Sequence, residues 1–230
     1  MFGGHAPAGR LTEPRRTGRT GPNCAKLTDV PYDRDVQAFN DRAASYEAGR
    51  LGRLHRDFAD RAVRIALAVA PAPERVLDVG SGTGYALLRL AAAWPGAQEL
   101  TGVDAAPEMV RVASEAARER DGRVRFIQGT AEDLPLPDAS VDLVISTTSF
   151  DHWHDQAAGL AECARVLAPG GHLVLSDLFS VWLWPTLLGG RRHKARTKGR
   201  ASRLIAAAGL RDPRWRRLAG PIVQTVTAVR

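Results

Sequence analysis

The run Val76-Leu77-Asp78-Val79-Gly80-Ser81-Gly82-Thr83-Gly84 constrains the fold more than any other part of the chain. A stretch of strand character passes without a break into three glycines at alternate positions, and a helical pattern begins at Tyr85. Glycine tolerates positive φ and lets a ligand come close to the backbone, and the start of the following helix presents unpaired N–H donors. A small polar ligand is therefore expected at this turn. In open α/β sheets the ligand crevice lies beyond the carboxyl ends of the strands, where the strand order reverses. A dinucleotide fingerprint needs Gly-x-Gly-x-x-Gly, but Tyr85 stands at the last position and the third glycine falls one residue early, at Gly84. Asp78 also sits badly beside a pyrophosphate and suits a ligand with a cationic amino group.

The rest of the chain repeats the strand and helix alternation. Strand patterns cover Arg75–Val79, Glu99–Asp104, Val124–Gln128, Val141–Thr147 and His172–Asp177, with helical patterns at Tyr85–Trp94, Pro107–Arg120 and Gln156–Leu167 between them. Parallel strands need crossovers, so the order predicts an α/β, doubly wound, mostly parallel sheet with helices on both faces. Pro169-Gly170-Gly171 predicts a break before the fifth strand, and Leu204–Gly209 reads as a short helix. The end of the chain, Arg214–Leu218 and Ile222–Val229, reads as a hairpin around Ala219-Gly220-Pro221. Ahead of the sheet, Phe39, Ala43 and Tyr46 recur at helical spacing over Asp35–Ala48, and Phe58, Ala62, Ile65 and Val69 do so next. Residues 1–30 mix Gly, Pro, Thr and Arg without a period and are expected to be a disordered basic tail. This gives a tail at 1–30, N-terminal helices at 31–72 and a ligand-binding domain at 73–230, with a basic and apolar insert at 178–202.

Charge is spread unevenly. The net charge is +7, but residues 73–180 hold 8 Arg/Lys against 16 Asp/Glu, whereas residues 181–230 hold 12 against 1. A basic end on an acidic core argues against a uniformly nucleic-acid-binding surface. Two cysteines, Cys24 and Cys163, are too few for a disulfide framework, and no Cys/His cluster has zinc-ligand spacing, so no metal is expected and a reducing cytosol is the expected compartment. The longest apolar stretch, Leu173–Leu188, is broken by Asp177 and Pro185, and no transmembrane segment is expected.

With these residues in hand, the chain resembles the class I S-adenosylmethionine-dependent methyltransferases, particularly the small-molecule branch called type 11. The motifs that carry the resemblance are Leu77-Asp78-Val79-Gly80-Ser81-Gly82-Thr83-Gly84, Gly102-Val103-Asp104, Ala131-Glu132-Asp133-Leu134-Pro135, Phe150-Asp151-His152-Trp153 and Arg165-Val166-Leu167-Ala168-Pro169-Gly170-Gly171. It implies a seven-stranded sheet with an antiparallel last strand, and S-adenosylmethionine as cofactor. It also implies a cofactor-binding set of Asp78, Gly80, Ser81, Gly82, Gly84, Asp104, Ala105, Met109, Thr130, Ala131, Glu132 and Thr147. In that set Gly80, Gly82 and Gly84 border the methionine part and Asp78 its amino group. Asp104 accepts from both ribose hydroxyls, Met109 packs on adenine, Ala131 offers a backbone group to the adenine edge, and Thr147 faces the methionine end. Thr130 stands where the family often has Asp or Asn. Tyr32 and Tyr46 are candidate lid contacts, because the family's N-terminal helices fold over the cofactor.

Methyl transfer from a sulfonium asks the protein mainly to position the acceptor and, where needed, to take a proton. His152 is the first candidate base and His154 the second, since imidazole titrates near neutral pH. The acceptor is expected to be a small-molecule metabolite. The apolar and basic residues of the insert, among them Trp182, Trp184, Arg191, Arg192 and Lys194, suit one that carries a carboxylate or phosphate. Two alternatives stay open. One is a nucleic-acid methyltransferase using the basic end, against which stand the absence of an Asn/Asp-Pro-Pro-Tyr run after the fourth strand and of a Pro-Cys nucleophile. The other is a non-methylating S-adenosylmethionine-binding protein, because fold does not fix reaction.

Overall fold

Short Val/Leu/Ile runs and Ala/Leu-rich runs alternate along the chain, and the computed structural model, which describes residue 1, residues 34–180 and residues 197–230, turns them into a seven-stranded sheet between two helical layers. The strands are β1 (Arg75–Val79), β2 (Glu99–Asp104), β3 (Val124–Gln128), β4 (Val141–Thr147), β5 (Leu167–Leu178), β6 (Arg211–Ala219) and β7 (Val223–Val229). The helices are α1 (Arg34–Arg42), α2 (Gly49–Val69), α3 (Tyr85–Ala93), α4 (Pro107–Arg120), α5 (Gln156–Val166) and α6 (Lys198–Ala207). Strand order is β3-β2-β1-β4-β5-β7-β6. The pairs among β1 to β5 are parallel, and β7 runs antiparallel to both β5 and β6. The order reverses between β1 and β4, which places a switch point there.

Alternation along each strand builds two cores. Leu77 and Val79 of β1 join Val144, Leu173 and Leu175 under α5 and α6, where Leu160, Cys163, Ala201 and Ile205 are fully buried. Val76 joins Leu143, Ile145 and Val174 on the opposite face, under α2 and α3. Both faces of the central strands are therefore dry, as parallel sheets require. Helix starts follow local chemistry: Pro107 and Glu108 occupy the first turn of α4 and Arg118 and Arg120 its last, in line with the helix dipole.

The bounds of β1 to β4 and α4 are those expected from sequence. Elsewhere the structure corrects the expectation. Pro169-Gly170-Gly171 does not precede β5 but lies inside it: Gly170, at φ 82°, donates its N–H to the Arg230 carbonyl, and the Arg230 N–H donates to Gly171. The partner that keeps this turn in the sheet is the far end of the chain, which no local pattern shows. The helix expected from Leu204 begins at Lys198, capped by Thr197, and buries Ala201 as well as Ile205. The single helix expected over Asp35–Ala48 is α1 followed by a 3-10 turn, Ala43–Ser45. Residues 1–30 lie outside the described residues except Met1, as do residues 181–196 of the insert, including Trp182, Trp184, Arg191, Arg192 and Lys194. Among the described residues no helix is long and apolar enough to cross a membrane, and no group of His, Cys, Asp and Glu could hold a metal ion.

Candidate functional site

The glycine turn lies at the carboxyl end of β1, at the switch point. Gly80, Gly82 and Gly84 have φ of 71°, 53° and 81°. The N–H groups of Gly80 and Ser81 both donate to the Val103 carbonyl, at 2.8 and 3.1 Å, tying the turn to β2. Gly80 is needed twice over, for its positive φ and because a Cβ there would lie 2.2 Å from Ser149 Oγ. A Cβ on Gly82 would instead meet nothing within 4 Å, so its side of the turn opens on free space. Ser149 joins the ends of β1 and β4: its hydroxyl donates to the Val79 carbonyl at 3.0 Å and receives Trp153 Nε1–H at 3.2 Å. Its single proton is thus committed, and Ser146 is the donor in the 2.8 Å contact between the two hydroxyls. The sequence pattern showed neither serine as part of the site.

Three carboxylates stand at or next to the carboxyl ends of β1, β2 and β5. Asp104 accepts Gly82 N–H on Oδ2 at 2.8 Å and Ala106 N–H on Oδ1 at 2.9 Å, and each oxygen keeps a further acceptor position. Burial pushes its pKa up while those two N–H groups pull against it. Asp78 is buried with no hydrogen-bond partner among the described residues, and burial, aided by the charge of Asp104, pushes its pKa up to about 7. Asp177, at the end of β5, accepts the N–H groups of Leu178 and Asp151 at 2.6 and 3.1 Å, and burial raises its pKa too. The hydroxyls of Ser81 and Thr147 are buried without a partner among the described residues.

The segment before β1 covers this edge. Val36 and Phe39 of α1 and Tyr46 pack on Ala106 and Met109, and Met109 is only 1% exposed. Glu47 receives a hydrogen bond from Thr83 Oγ1 at 2.5 Å and sits beside Arg56. Tyr46 stacks on His55 with ring centroids 5.0 Å apart. Burial raises the Tyr46 phenol, Arg42 opposes, and the carboxylates of Asp104, Glu47 and Asp177 add to the rise. Tyr32 lies outside the described residues.

After β4, a 3-10 turn spans Phe150–His152. His152 Nδ1 lies 2.9 Å from Asp35 Oδ2 of α1, and Phe39 meets the imidazole edge-on at 5.0 Å. His154 is exposed. After β3, Thr130 bridges to Asp133, Ala131 is buried, and Glu132 accepts the N–H of Asp155, the cap of α5. The carbonyl of Ala105 receives Gln128 Nε2–H at 3.4 Å. Of the described residues singled out from sequence, those at and after the ends of β1 to β4 lie on the carboxyl edge of the sheet, and Met109 lies on α4 beneath the N-terminal cover. Asp35, Glu47 and Ser149 are additions that sequence spacing did not indicate. Cys163 is buried in α5, and burial pushes its thiol far up, so it is no nucleophile.

Residues 77–175 match a family model described as a methyltransferase domain. The uncharacterized methyltransferase YcgJ of Bacillus subtilis is 36% identical over 153 residues, 66% of this chain and 55% of that protein. The demethylmenaquinone methyltransferase of Thermus thermophilus is 39% identical over 140 residues, 60% of this chain and 63% of that protein. The chain therefore spans less than two thirds of the length of these relatives. The solved structure of an S-adenosylmethionine-dependent methyltransferase from Aquifex aeolicus superposes with a TM-score of 0.64 at 21% identity, covering 83% of this chain and 97% of that one, which shows a common fold.

Proposed function

We propose that the chain, whose residues 77–175 match a methyltransferase-domain model, is a class I S-adenosylmethionine-dependent methyltransferase that moves a methyl group from S-adenosylmethionine to an oxygen, nitrogen or carbon atom of a small-molecule acceptor. One observation carries this reading. The Asp78 carboxyl and the Ser81 and Thr147 hydroxyls are all buried, all lack partners among the described residues, and all lie around a turn whose Gly82 side is open. Buried polar groups without partners are costly, so their concentration here favours a ligand that supplies the missing donors.

S-adenosylmethionine, when bound, supplies an electrophilic methyl carbon on a sulfonium whose departure leaves a neutral thioether. In this reading Asp78 holds the cationic amino group, and Gly80, Ser81, Gly82, Gly84 and Thr147 border the methionine portion. Asp104 uses the free acceptor positions on its two oxygens for the ribose hydroxyls, as the next residue, Ala105, follows it around the sugar. Thr130, Ala131, Glu132 and Met109 flank the adenine. Glu132 also accepts the Asp155 N–H and so fixes its own loop. His152 is the base for an acceptor that must lose a proton, and the basic residues of 181–230 favour one bearing carboxylate or phosphate. The segment 34–48 acts as a lid, supported by the packing of Phe39 and Tyr46 on Met109.

The test uses the full chain, methyl-labelled S-adenosylmethionine and a metabolite extract. The label is expected in a small molecule that has gained CH3 in place of H. Label that stays with the cofactor in every fraction, from a chain that binds the demethylated product normally, would leave a binding protein and remove the transferase.

A further inference from the structure

We infer that Asp35 is the positioning residue of the candidate base: its carboxylate holds the proton on His152 Nδ1 and leaves Nε2 as the basic nitrogen. This rests on the reading of His152 as base. An ionised carboxylate has no proton to give, so a 2.9 Å contact between Asp35 Oδ2 and Nδ1 requires the hydrogen on Nδ1. In the neutral ring the lone pair is then on Nε2, which has no partner among the described residues, and the side chain keeps 35% of its exposure. Imidazole left to itself prefers the other tautomer, so the carboxylate reverses an intrinsic preference.

The backbone under the ring is fixed separately. The His152 N–H donates to the Ser149 carbonyl at 2.9 Å, and Asp177 takes the N–H of Asp151 just before it. Asp35 and Phe39 are four residues apart on α1, hence on one face, and Phe39 closes on the same imidazole at 5.0 Å with the rings perpendicular. That helix also packs on Met109. Seating the cover over the cofactor edge and setting the tautomer of His152 are therefore one event. In the step itself the proton of the acceptor O–H or N–H passes to Nε2. The pair left behind forms the bond to the methyl carbon, the carbon–sulfur pair leaves with sulfur, and Asp35 faces the resulting imidazolium.

The test is nitrogen NMR on the full chain labelled with 15N-histidine, at a pH where the ring is neutral, with His152 assigned by loss of its signals in His152→Asn. The parent and Asp35→Glu are expected to carry the proton on Nδ1, and Asp35→Ala to shift toward Nε2–H, with cooperative thermal unfolding like the parent's as the check on folding. An Nε2–H tautomer in the parent, or the same tautomer in Asp35→Ala, overturns the inference. Once an acceptor is in hand, Asp35→Ala should lose about tenfold or more in kcat at saturating cofactor, and Asp35→Glu should restore most of it. Unchanged turnover in His152→Asn would reject the base itself, and with it this role, leaving Asp35 a docking contact for α1.

Discussion

Asp78, Asp104 and Asp177 lie at, or one residue before, the ends of β1, β2 and β5 of one sheet, and their donors set them apart. Asp104 and Asp177 each hold two backbone N–H groups, whereas Asp78 holds none among the described residues and has a pKa of about 7. A carboxyl raised in the folded state keeps its proton while the unfolded chain loses it, so its contribution to stability falls as pH rises from about 4 to about 7 and is level above. A cationic ligand reverses this by favouring the ionised form. Apparent affinity for S-adenosylhomocysteine should therefore drop by up to about tenfold per pH unit below pH 7, with proton release near pH 6. Calorimetry in buffers of different ionisation enthalpy measures that release, and Asp78→Asn should abolish it. A release equal in that variant would place the proton elsewhere. The glycines give a second contrast. Gly80→Ala meets both Ser149 and an unfavourable φ and should cost roughly 3 kcal/mol of stability, whereas Gly82→Ala pays only for φ, about 1–2 kcal/mol. The Gly82 variant should nonetheless lose ligand affinity, because its methyl enters the open side of the turn. Denaturant titration ranks the two, and equal losses would refute the packing role of Ser149.

Helix α5 is anchored at its ends by both local and distant side chains. Asp155 caps α5 by accepting the N–H groups of Ala157 and Ala158 at 2.9 and 3.1 Å, while its own N–H goes to Glu132. Near the other end of α5, Arg165 pairs with Glu162 and Asp138 and donates to the carbonyls of Leu134 and Leu136, pinning the loop between β3 and β4. Asp155→Ala should cost about 1 kcal/mol, which for a chain of this size is a fall in Tm of roughly 2–4 °C. It should also loosen the Thr130–Glu132 segment, visible as faster amide exchange there. A Tm unchanged within error would mean that α5 is held by packing alone. Arg165 sits within a motif legible in the sequence, but its partners in the loop, Asp138, Leu136 and Leu134, lie 27 to 31 residues upstream and are known only from the fold.

Over the whole molecule, two buried cores lie on opposite faces of the sheet, and a small third cluster, Ala43, Ala106 and Met109, joins the N-terminal segment to α4. A ligand at the carboxyl edge touches the ends of several strands at once and should stabilise the fold as a unit. S-adenosylhomocysteine at a hundredfold excess over its Kd should add about 2.7 kcal/mol, read as a rise in Tm and as slower exchange across residues 34–48. Asp104→Ala should lose this gain, since it removes the carboxylate that both holds Gly82 N–H and faces the ribose in our reading. A full gain in that variant would dissociate Asp104 from the ligand. Alternating periodicity and the spaced glycines are local properties, so the chain alone determined the order of β1 to β5, the helices between them, and the glycine turn read here as the ligand site. The course of β5 through Gly170 depended on Arg230, 60 residues later, and the early start of α6 on a core that buries Ala201. The contact of Asp35 with His152, separated by 117 residues, and the unpartnered state of Asp78, Ser81 and Thr147 belong to no local pattern at all. Hydrogen-bond partners and burial arise only when distant segments meet, and the tertiary structure alone decided them.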